Sequence, residues 1–242
     1  MKTTLKKFGT MKIIFSLLAL TIFISACKKD WGDSNSVTVA GIGFVHASPG
    51  TGALDLVVDN QKVNSKDFTY TNDLGYFGAY PGTRLFGVVK KDSTRYLATS
   101  SLTLRSGLFY SAFVIDVLPA PKILLVEDDL KAPETDKAKI RFINLSPAST
   151  PFDLEVSNTD PAALTAPYLL TTNKAFKDFS AFASINPSIS YNFALKETGS
   201  AAAVATISNV KIEKGKIYTI WAKGLKAATD STKLSIGIMT NK

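Results

Sequence analysis

Short runs rich in Val, Ile, Phe, Tyr and Thr fill most of the chain, and Gly, Pro, Asn or Ser interrupts them every 8–12 residues. This spacing is typical of the short strands of an all-β sandwich. No segment has the apolar periodicity of a convincing amphipathic helix. The pattern predicts strands at residues 37–47, 54–59, 83–90, 96–104, 108–118 and 122–127, and then at 138–145, 152–157, 188–195, 204–212, 217–223 and 233–239.

The chain also repeats itself. The segment FVHASP at residues 44–49 recurs as FINLSP at 142–147, and LDLVV at 54–58 recurs as FDLEV at 152–156, both at an offset of 98. GLFY at 107–110 matches GKIY at 215–218 at an offset of 108. Between these matches, Phe77, Phe86 and Lys91 fit Phe182, Tyr191 and Lys196. Two copies of this length predict two similar domains, with a longer loop in the second, and not a solenoid.

The domain boundaries follow from composition. Residues 127–136 are charged, contain Pro133 and lack apolar periodicity, so we predict a linker there. The prediction is therefore a first sandwich at residues 37–126 and a second at 137–242, each of immunoglobulin-like or Greek-key type. A polar linker is predicted at residues 27–36, after a segment 1–26 of different character.

Residues 1–26 have the layout of a secretory signal peptide. Lysines at positions 2, 6, 7 and 12 precede an apolar stretch of 12 residues, and the small residues Ser25 and Ala26 stand before Cys27. A transmembrane helix needs roughly 20 apolar residues. The pattern matches the lipobox of bacterial lipoproteins, which predicts cleavage before Cys27, lipid on its thiol and a membrane as partner. Lys28 follows in place of Asp, which favours delivery to the outer membrane of a Gram-negative bacterium, on its periplasmic or its surface side.

Charge and cysteine content narrow the function classes. The formal net charge is +8, but four of the 28 basic residues precede Cys27, which leaves 24 against 20 acidic residues. The basic residues are scattered along the sequence, whereas a nucleic-acid interface needs clustered Lys and Arg. No nucleic-acid partner is therefore expected. Cys27 is the only cysteine, so no intramolecular disulfide can form.

Three pairs of repeated residues have predicted structural roles. Tyr110 and Tyr218 each begin a strand after a glycine turn, which predicts tyrosine corners whose hydroxyls bind nearby upstream backbone. Ser48-Pro49 and Ser146-Pro147 predict turns. The carboxylates at positions 55 and 153 are expected to accept N–H groups of the preceding loop.

The repeated motifs resemble a known family. FVHASP, LDLVVD, YPGT and GLFY in the first copy, with FINLSP and GKIY in the second, are similar to the domain of unknown function 4397 family, and the resemblance covers nearly all of the chain after Cys27. It implies a β-sandwich and an extracytoplasmic setting, since such domains often occur as tandem copies in bacterial lipoproteins. The family has no established activity and supplies no site residues. Asn144 stands at the place of His46, which argues against an essential histidine.

Residues with catalytic potential are few. His46 is the only histidine, and a catalytic triad needs a base that contacts a nucleophile and is itself oriented. We interpret it as a structural residue at a strand end. The carboxylates of Glu127, Asp128 and Asp129 could take a calcium ion or contribute to a hydrolase, but no spacing singles out a pair. No cofactor, metal ligand or catalytic residue is therefore predicted.

Aromatic residues give the remaining alternative. Tyr76, Tyr80 and Trp221 are candidate ligand contacts, because sugar-binding sandwiches display aromatic rings. Core and cross-strand packing is the favoured interpretation of the aromatic cluster in the first copy, because Phe77 and Phe86 recur in the second. The first hypothesis is a non-enzymatic, membrane-anchored envelope protein with a structural, adhesion or protein-binding role. A surface glycan-binding lipoprotein is the alternative, and a carboxylate hydrolase is the third. Solvent exposure of the three rings would discriminate between the first two.

Overall fold

A computed structural model describes residues 38–158 and 165–242, and every element in these ranges is a β-strand. The all-β prediction is confirmed. The first copy contains β1 (Ala40–His46), β2 (Leu54–Val58), β3 (Gln61–Lys62), β4 (Asp73–Ala79), β5 (Gly82–Lys90), β6 (Tyr96–Leu104), β7 (Phe109–Ile115) and β8 (Lys122–Asp128). The second contains β9 (Ala138–Asn144), β10 (Phe152–Asn158), β11 (Thr165–Lys174), β12 (Ala183–Ile185), β13 (Ser188–Glu197), β14 (Ala203–Ile212), β15 (Ile217–Lys223) and β16 (Ser235–Thr240).

The two copies have the same topology, strand for strand. In the first copy, sheet A has the order β4-β1-β7-β8 and sheet B the order β3-β2-β5-β6. In the second, sheet C has the order β12-β9-β15-β16 and sheet D the order β11-β10-β13-β14. Neighbouring strands are antiparallel except β1 with β7 and β9 with β15, which are parallel. Each copy is thus a sandwich of two four-stranded sheets.

The hydrogen-bond register confirms the sequence repeat at both ends. Ile42 lies opposite Tyr110 in the first copy, and Ile140 lies opposite Tyr218 in the second. These pairs are separated by the offsets of 98 and 108 that the sequence matches gave.

The sequence match predicted for the fifth strand of each copy is wrong by two residues. Val58 pairs with Phe86, and Val156 pairs with Phe193, so the equivalent of Phe86 is Phe193 and not Tyr191. Both aromatics are fully buried, and Tyr191 is also buried. Because both positions are aromatic, residue type alone could not choose between them.

The additional residues of the second copy lie between its second and fourth strands. The offset is 98 at Ile42 and Ile140 but 106 at Phe77 and Ala183, one residue beyond the predicted equivalent Phe182. Within this interval the two-residue β3 is replaced by the ten-residue β11. The second copy therefore has a longer strand at the edge of its outer sheet.

Each sandwich has its own apolar core. In the first copy Phe44 is fully buried and packs against the rings of Phe77 and Phe86, with ring centroids 5.9 and 5.6 Å away. In the second, Phe142 and Phe193 belong to the equivalent cluster. Burial of one such side chain contributes about 1.5–3 kcal/mol, so these clusters dominate the stability of each copy.

A third apolar cluster joins the two copies. Phe113 and Val126 of sheet A pack with Ile143, Trp221 and Met239 of sheet C. Strands β7 and β15 are consequently buried on both faces along most of their length. The sheets stack in the order B, A, C, D, and residues Thr38–Lys242 form one compact unit. The predicted linker begins inside this arrangement, because residues 127 and 128 are the last two of β8.

The predicted tyrosine corners are confirmed. Tyr110 and Tyr218 are buried, and their hydroxyls accept the backbone N–H groups of Arg105 and Glu213, each at 3.1 Å. Both donors lie five residues upstream, so each hydroxyl closes the turn that precedes its own strand.

The repeated serines also have matching partners. The Ser48 hydroxyl donates to the carbonyl of Asp116, and the Ser146 hydroxyl donates to the carbonyl of Gly224, both at 2.6 Å. In each copy this bond joins the loop after the first strand to the end of the seventh.

The two repeated aspartates do not have the predicted partners. Asp55 forms an ion pair with Lys62 at 2.7 Å, on the neighbouring strand β3. Asp153 accepts the N–H of Asn173 at 2.7 Å, but Asn173 belongs to β11, which follows Asp153 in the chain. Pairing between strands therefore takes the place of the predicted bonds to the preceding loop.

Candidate functional site

The predicted lipid attachment residue Cys27 lies outside the described residues, and so do residues 1–26 and the linker at 27–36. Within the described chain, no helix has the length and apolar character needed to span a membrane.

The three candidate aromatic residues lie in different environments. Tyr80 is 65% exposed, in the turn between β4 and β5. Tyr76 is partly buried, and its hydroxyl is hydrogen-bonded to Asp128. Trp221 is 2% exposed. The structure does not bring the three rings together on one surface, and Tyr80 alone among them offers most of its ring to solvent.

The assignment of Trp221 as a ligand contact is wrong. Its ring lies in the cluster between sheets A and C and covers Gly237, its cross-strand neighbour. A Cβ atom at position 237 would lie 2.5 Å from the indole ring, so only glycine leaves room for the tryptophan. The ring is needed between the sheets and cannot stack on a ligand.

The acidic run at residues 127–129 does not form a calcium site. Each carboxylate is paired with a different cation: Glu127 with Arg105, Asp129 with Lys139 at 3.5 Å, and Asp128 with Arg141. Alternate side chains of an extended segment point in opposite directions, so the carboxylate of Asp128 points away from those of its two neighbours. In the described ranges, no group of three or more His, Cys, Asp or Glu residues is arranged to hold a metal ion.

Asp128 is instead the centre of a buried polar network between the copies. Its carboxylate accepts hydrogen bonds from Arg141 of β9, from the Ser111 hydroxyl at 2.7 Å and from the Tyr76 hydroxyl. The side chains of Asp128 and Arg141 are 0% and 2% exposed. Burial and the nearby Asp128 charge raise the pKa of Tyr76 far above its usual value, so this phenol stays protonated and donates.

The second copy completes the network. Arg141 also donates to the Thr219 hydroxyl at 3.0 Å, and its guanidinium lies 4.5 Å from the ring centre of Phe182. Thr219 donates to Asn241 at 2.7 Å, and Asn241 donates to Tyr76 at 2.8 Å. The contacts form a closed path across sheets A and C. The predicted ligand contact Tyr76 therefore holds the two copies together.

His46 has the structural environment that the sequence suggested. It is fully buried, and its Nε2 lies 3.0 Å from the carbonyl of Gly52 and 3.1 Å from the Thr51 hydroxyl. Burial lowers its pKa from 6.5 to about 4, so the imidazole is neutral at pH 7. The nearby Ser48 hydroxyl donates to a backbone carbonyl and is not oriented toward a substrate.

Each sandwich has a surface cleft at its open side, where the edge strands of its two sheets face one another. The cleft of the first copy has a volume of about 310 Å³ and contains Asp67 and Asp73. Asp67 is paired with Lys91, and Asp73 accepts the N–H of Gly75, so both carboxylates have partners in the protein.

The cleft of the second copy is larger, about 460 Å³, and lies between β11 and β12. Tyr168, Asn186 and Tyr191 line it, together with Lys137 and Glu134 of the segment between the copies. Tyr168 is not among the aromatic residues that the sequence pattern singled out. The available signal was the extra length of the second copy, which forms β11.

Comparison with known proteins agrees with the repeated motifs. Residues 40–155 match the sequence model of the domain of unknown function DUF4397. The chain carries a DUF4397 domain. The match covers the whole first copy and continues through β9 into β10 of the second, so the resemblance inferred from the motifs is confirmed over these strands. No curated protein matches the sequence.

The solved structures that this chain resembles share little sequence with it, and their TM-scores are low. A family 41 carbohydrate-binding module from streptococcal virulence factors, which recognises alpha-glucan, has 9% identity and a TM-score of 0.26, over 82% of this chain and 96% of that one. A proposed adhesin from Bacteroides ovatus has 8% identity and a TM-score of 0.27, over 83% and 92%. A proposed cell adhesion protein from Bacteroides uniformis has 10% identity and a TM-score of 0.19, over 85% and 100%. Likeness of this degree transfers no function.

Proposed function

We propose that this protein is a lipoprotein of the bacterial cell envelope that is held in the outer membrane by lipid on Cys27 and acts by binding a partner, not by catalysis. The observation that carries the proposal is that two sandwiches are joined through a buried apolar and ionic interface. This arrangement leaves the outer sheets B and D, the edge clefts and the terminal loops as the surfaces available to a partner.

The environments of the potentially reactive side chains support a binding role. His46 and Asp128, which sequence reasoning weighed for chemistry, are buried and bonded within the protein, and Asp67 in the first cleft is paired with Lys91. A general base or nucleophile must reach its substrate. These groups instead contribute to the packing of a scaffold.

Attachment to the membrane is tested by fractionation of the full chain expressed in a Gram-negative host. The wild type is expected in the outer-membrane fraction, and Cys27→Ala, which cannot be acylated, is expected in the soluble fraction or uncleaved in the inner membrane. Lys28→Asp is the matched variant, because it keeps the acylated cysteine and is expected to move the protein to the inner membrane. A wild type found in the cytoplasm would refute the location.

The binding role is tested with the chain from Lys28 onward, which retains the whole compact unit Thr38–Lys242. We expect the immobilised protein to retain a glycan or an envelope protein from defined panels, without changing it chemically. Turnover of any panel member by the purified chain would refute the non-enzymatic role.

Glycan binding is the second candidate, and the cleft between β11 and β12 is the observation that favours it. This cleft combines an exposed aromatic ring with several polar side chains, as small-molecule sites generally do.

A further inference from the structure

The two copies diverge most at one place, the edge of the outer sheet. Strands β1 to β8 correspond one to one with β9 to β16, yet β3 has two residues whereas β11 has ten. The lengthened strand is exposed at Tyr168 and Leu169, whereas Leu170 is partly buried against the apolar core of the second copy. The exposed part of β11 is not explained by packing of the core and therefore points to a function at the surface.

That extension borders the larger cleft. Tyr168 of β11 forms one wall, and Ser184 and Ile185 of β12 lie across from it. The equivalent cleft of the first copy contains no tyrosine, and its aromatic residue Phe77 is packed against the apolar core. An accessible aromatic wall therefore distinguishes the second cleft from the first.

The polar groups of the second cleft are held in place by the protein. Lys137 donates to the side-chain oxygen of Asn186 at 2.6 Å, and the hydroxyl of Tyr191 donates to the backbone carbonyl of Asn186 at 2.8 Å. The side chain and backbone of Asn186 are both fixed in this way. An amide that is already held in place loses little further conformational entropy when it binds a ligand.

The charges of the cleft balance. One acidic side chain, Glu134, and one basic side chain, Lys137, line it. A site of this composition favours neither an anion nor a cation. Hydroxyl and amide groups beside an aromatic face suit a ligand that has many hydroxyls and one apolar face.

We propose that the cleft between β11 and β12 binds an uncharged oligosaccharide, with the ring of Tyr168 stacked on one sugar and the Asn186 amide hydrogen-bonded to its hydroxyls. This inference rests on the proposed binding function and specifies its ligand. Tyr168 is 42% exposed, so part of its side chain is accessible to a ligand. Burial raises the pKa of the Tyr168 hydroxyl, which therefore remains a neutral hydrogen-bonding group at physiological pH.

The test is a glycan array of neutral gluco-, galacto- and manno-oligosaccharides alongside sialylated and sulfated glycans, probed with the chain from Lys28 onward. Titration calorimetry with the best neutral ligand follows. We expect Tyr168→Ala to weaken binding at least tenfold and Tyr168→Phe, which keeps the ring, to stay within a factor of about three. Leu169→Ala is the control, because it removes an exposed apolar side chain from the opposite face of the same strand and should leave affinity unchanged.

Several outcomes would overturn the inference. Binding confined to sialylated or sulfated glycans would show that the ligand is charged, and equal loss of affinity in Tyr168→Ala and Leu169→Ala would show that the site lies elsewhere. Capture of an envelope protein with no glycan bound would refute the sugar site while leaving the proposed binding role intact. Hydrolysis of an oligosaccharide would refute the binding role itself. Equal melting temperatures of the variants confirm that folding is not the cause of any loss.

Discussion

Breaking the ion pair between Asp128 and Arg141 should destabilise both sandwiches together. The change Asp128→Ala removes the acceptor of Arg141, Ser111 and Tyr76 at once. The guanidinium then stays buried between sheets A and C without a counter-charge. Removal of one partner from a buried pair costs about 3–5 kcal/mol. Small domains have a total stability of about 5–15 kcal/mol, so this single change removes a large fraction of it.

The adjacent residue provides a matched control. Glu127 is paired with Arg105, but these side chains are 50% and 66% exposed, whereas Asp128 and Arg141 are almost fully buried. Water screens an exposed pair, so Glu127→Ala should cost less than about 1 kcal/mol. The alanine variants of these two adjacent carboxylates are therefore expected to differ severalfold in the free energy of unfolding that they lose.

The magnitude can be measured by urea unfolding of the chain from Lys28 onward, followed by tryptophan fluorescence, because Trp221 lies in the interface. We expect one transition in the wild type. A double-mutant cycle with Asp128→Asn, Arg141→Met and their combination isolates the pair. The combined variant should lose at least about 2 kcal/mol less than the sum of the two single variants, since neither charge is then left alone. Additivity of the single effects, or equal losses in Asp128→Ala and Glu127→Ala, would refute a stabilising role of the buried pair.

Three further predictions follow from buried groups. The pKa of His46 is about 4 in the folded chain, whereas its ordinary value is 6.5, so the contribution of the neutral imidazole to stability is complete above pH 6.5. The free energy of unfolding should fall by up to about 3 kcal/mol as the pH drops toward 4. Urea unfolding across this range should show a weaker pH dependence for His46→Asn, and an unchanged dependence would contradict the assignment. Loss of one corner bond in Tyr110→Phe or Tyr218→Phe should cost about 1 kcal/mol, and the alanine variants about 3–5 kcal/mol, in thermal melts; alanine variants with wild-type melting temperatures would exclude buried corners. Gly237→Ala should cost about 1–3 kcal/mol because its Cβ would meet the Trp221 ring, and a stability equal to that of the wild type would show that the ring can move aside.

The sequence by itself determined the architecture of each copy. Alternating apolar runs and their turn residues predict strands because these are local properties of a chain with a two-residue side-chain period. The constant offset of the motifs predicts the duplication, and the glycine turns before Tyr110 and Tyr218 predict the corners, since turn and acceptor lie only five residues apart.

The same sequence carried an unused signal for the interface. The strands FYSAFVI and IYTIWAK are nearly continuous in apolar residues, and both are buried on both faces. A strand covered on one side only would alternate more strictly between apolar and polar residues. This pattern indicated that sheets A and C are covered on both sides, but it could not say what covers them.

Only the tertiary structure decided which surfaces meet. By residue type Asp128 would be expected at the surface, and Trp221 could lie in a core or at a ligand site. Both are buried in the interface because sheet A packs on sheet C. Likewise, the register that pairs Ile140 with Ala183 places the extra residues of the second copy between β10 and β12, where β11 brings Tyr168 to the border of a cleft. Local pattern fixes which residues can be strands, whereas contacts between distant segments depend on complementary shape and charge that no single segment contains.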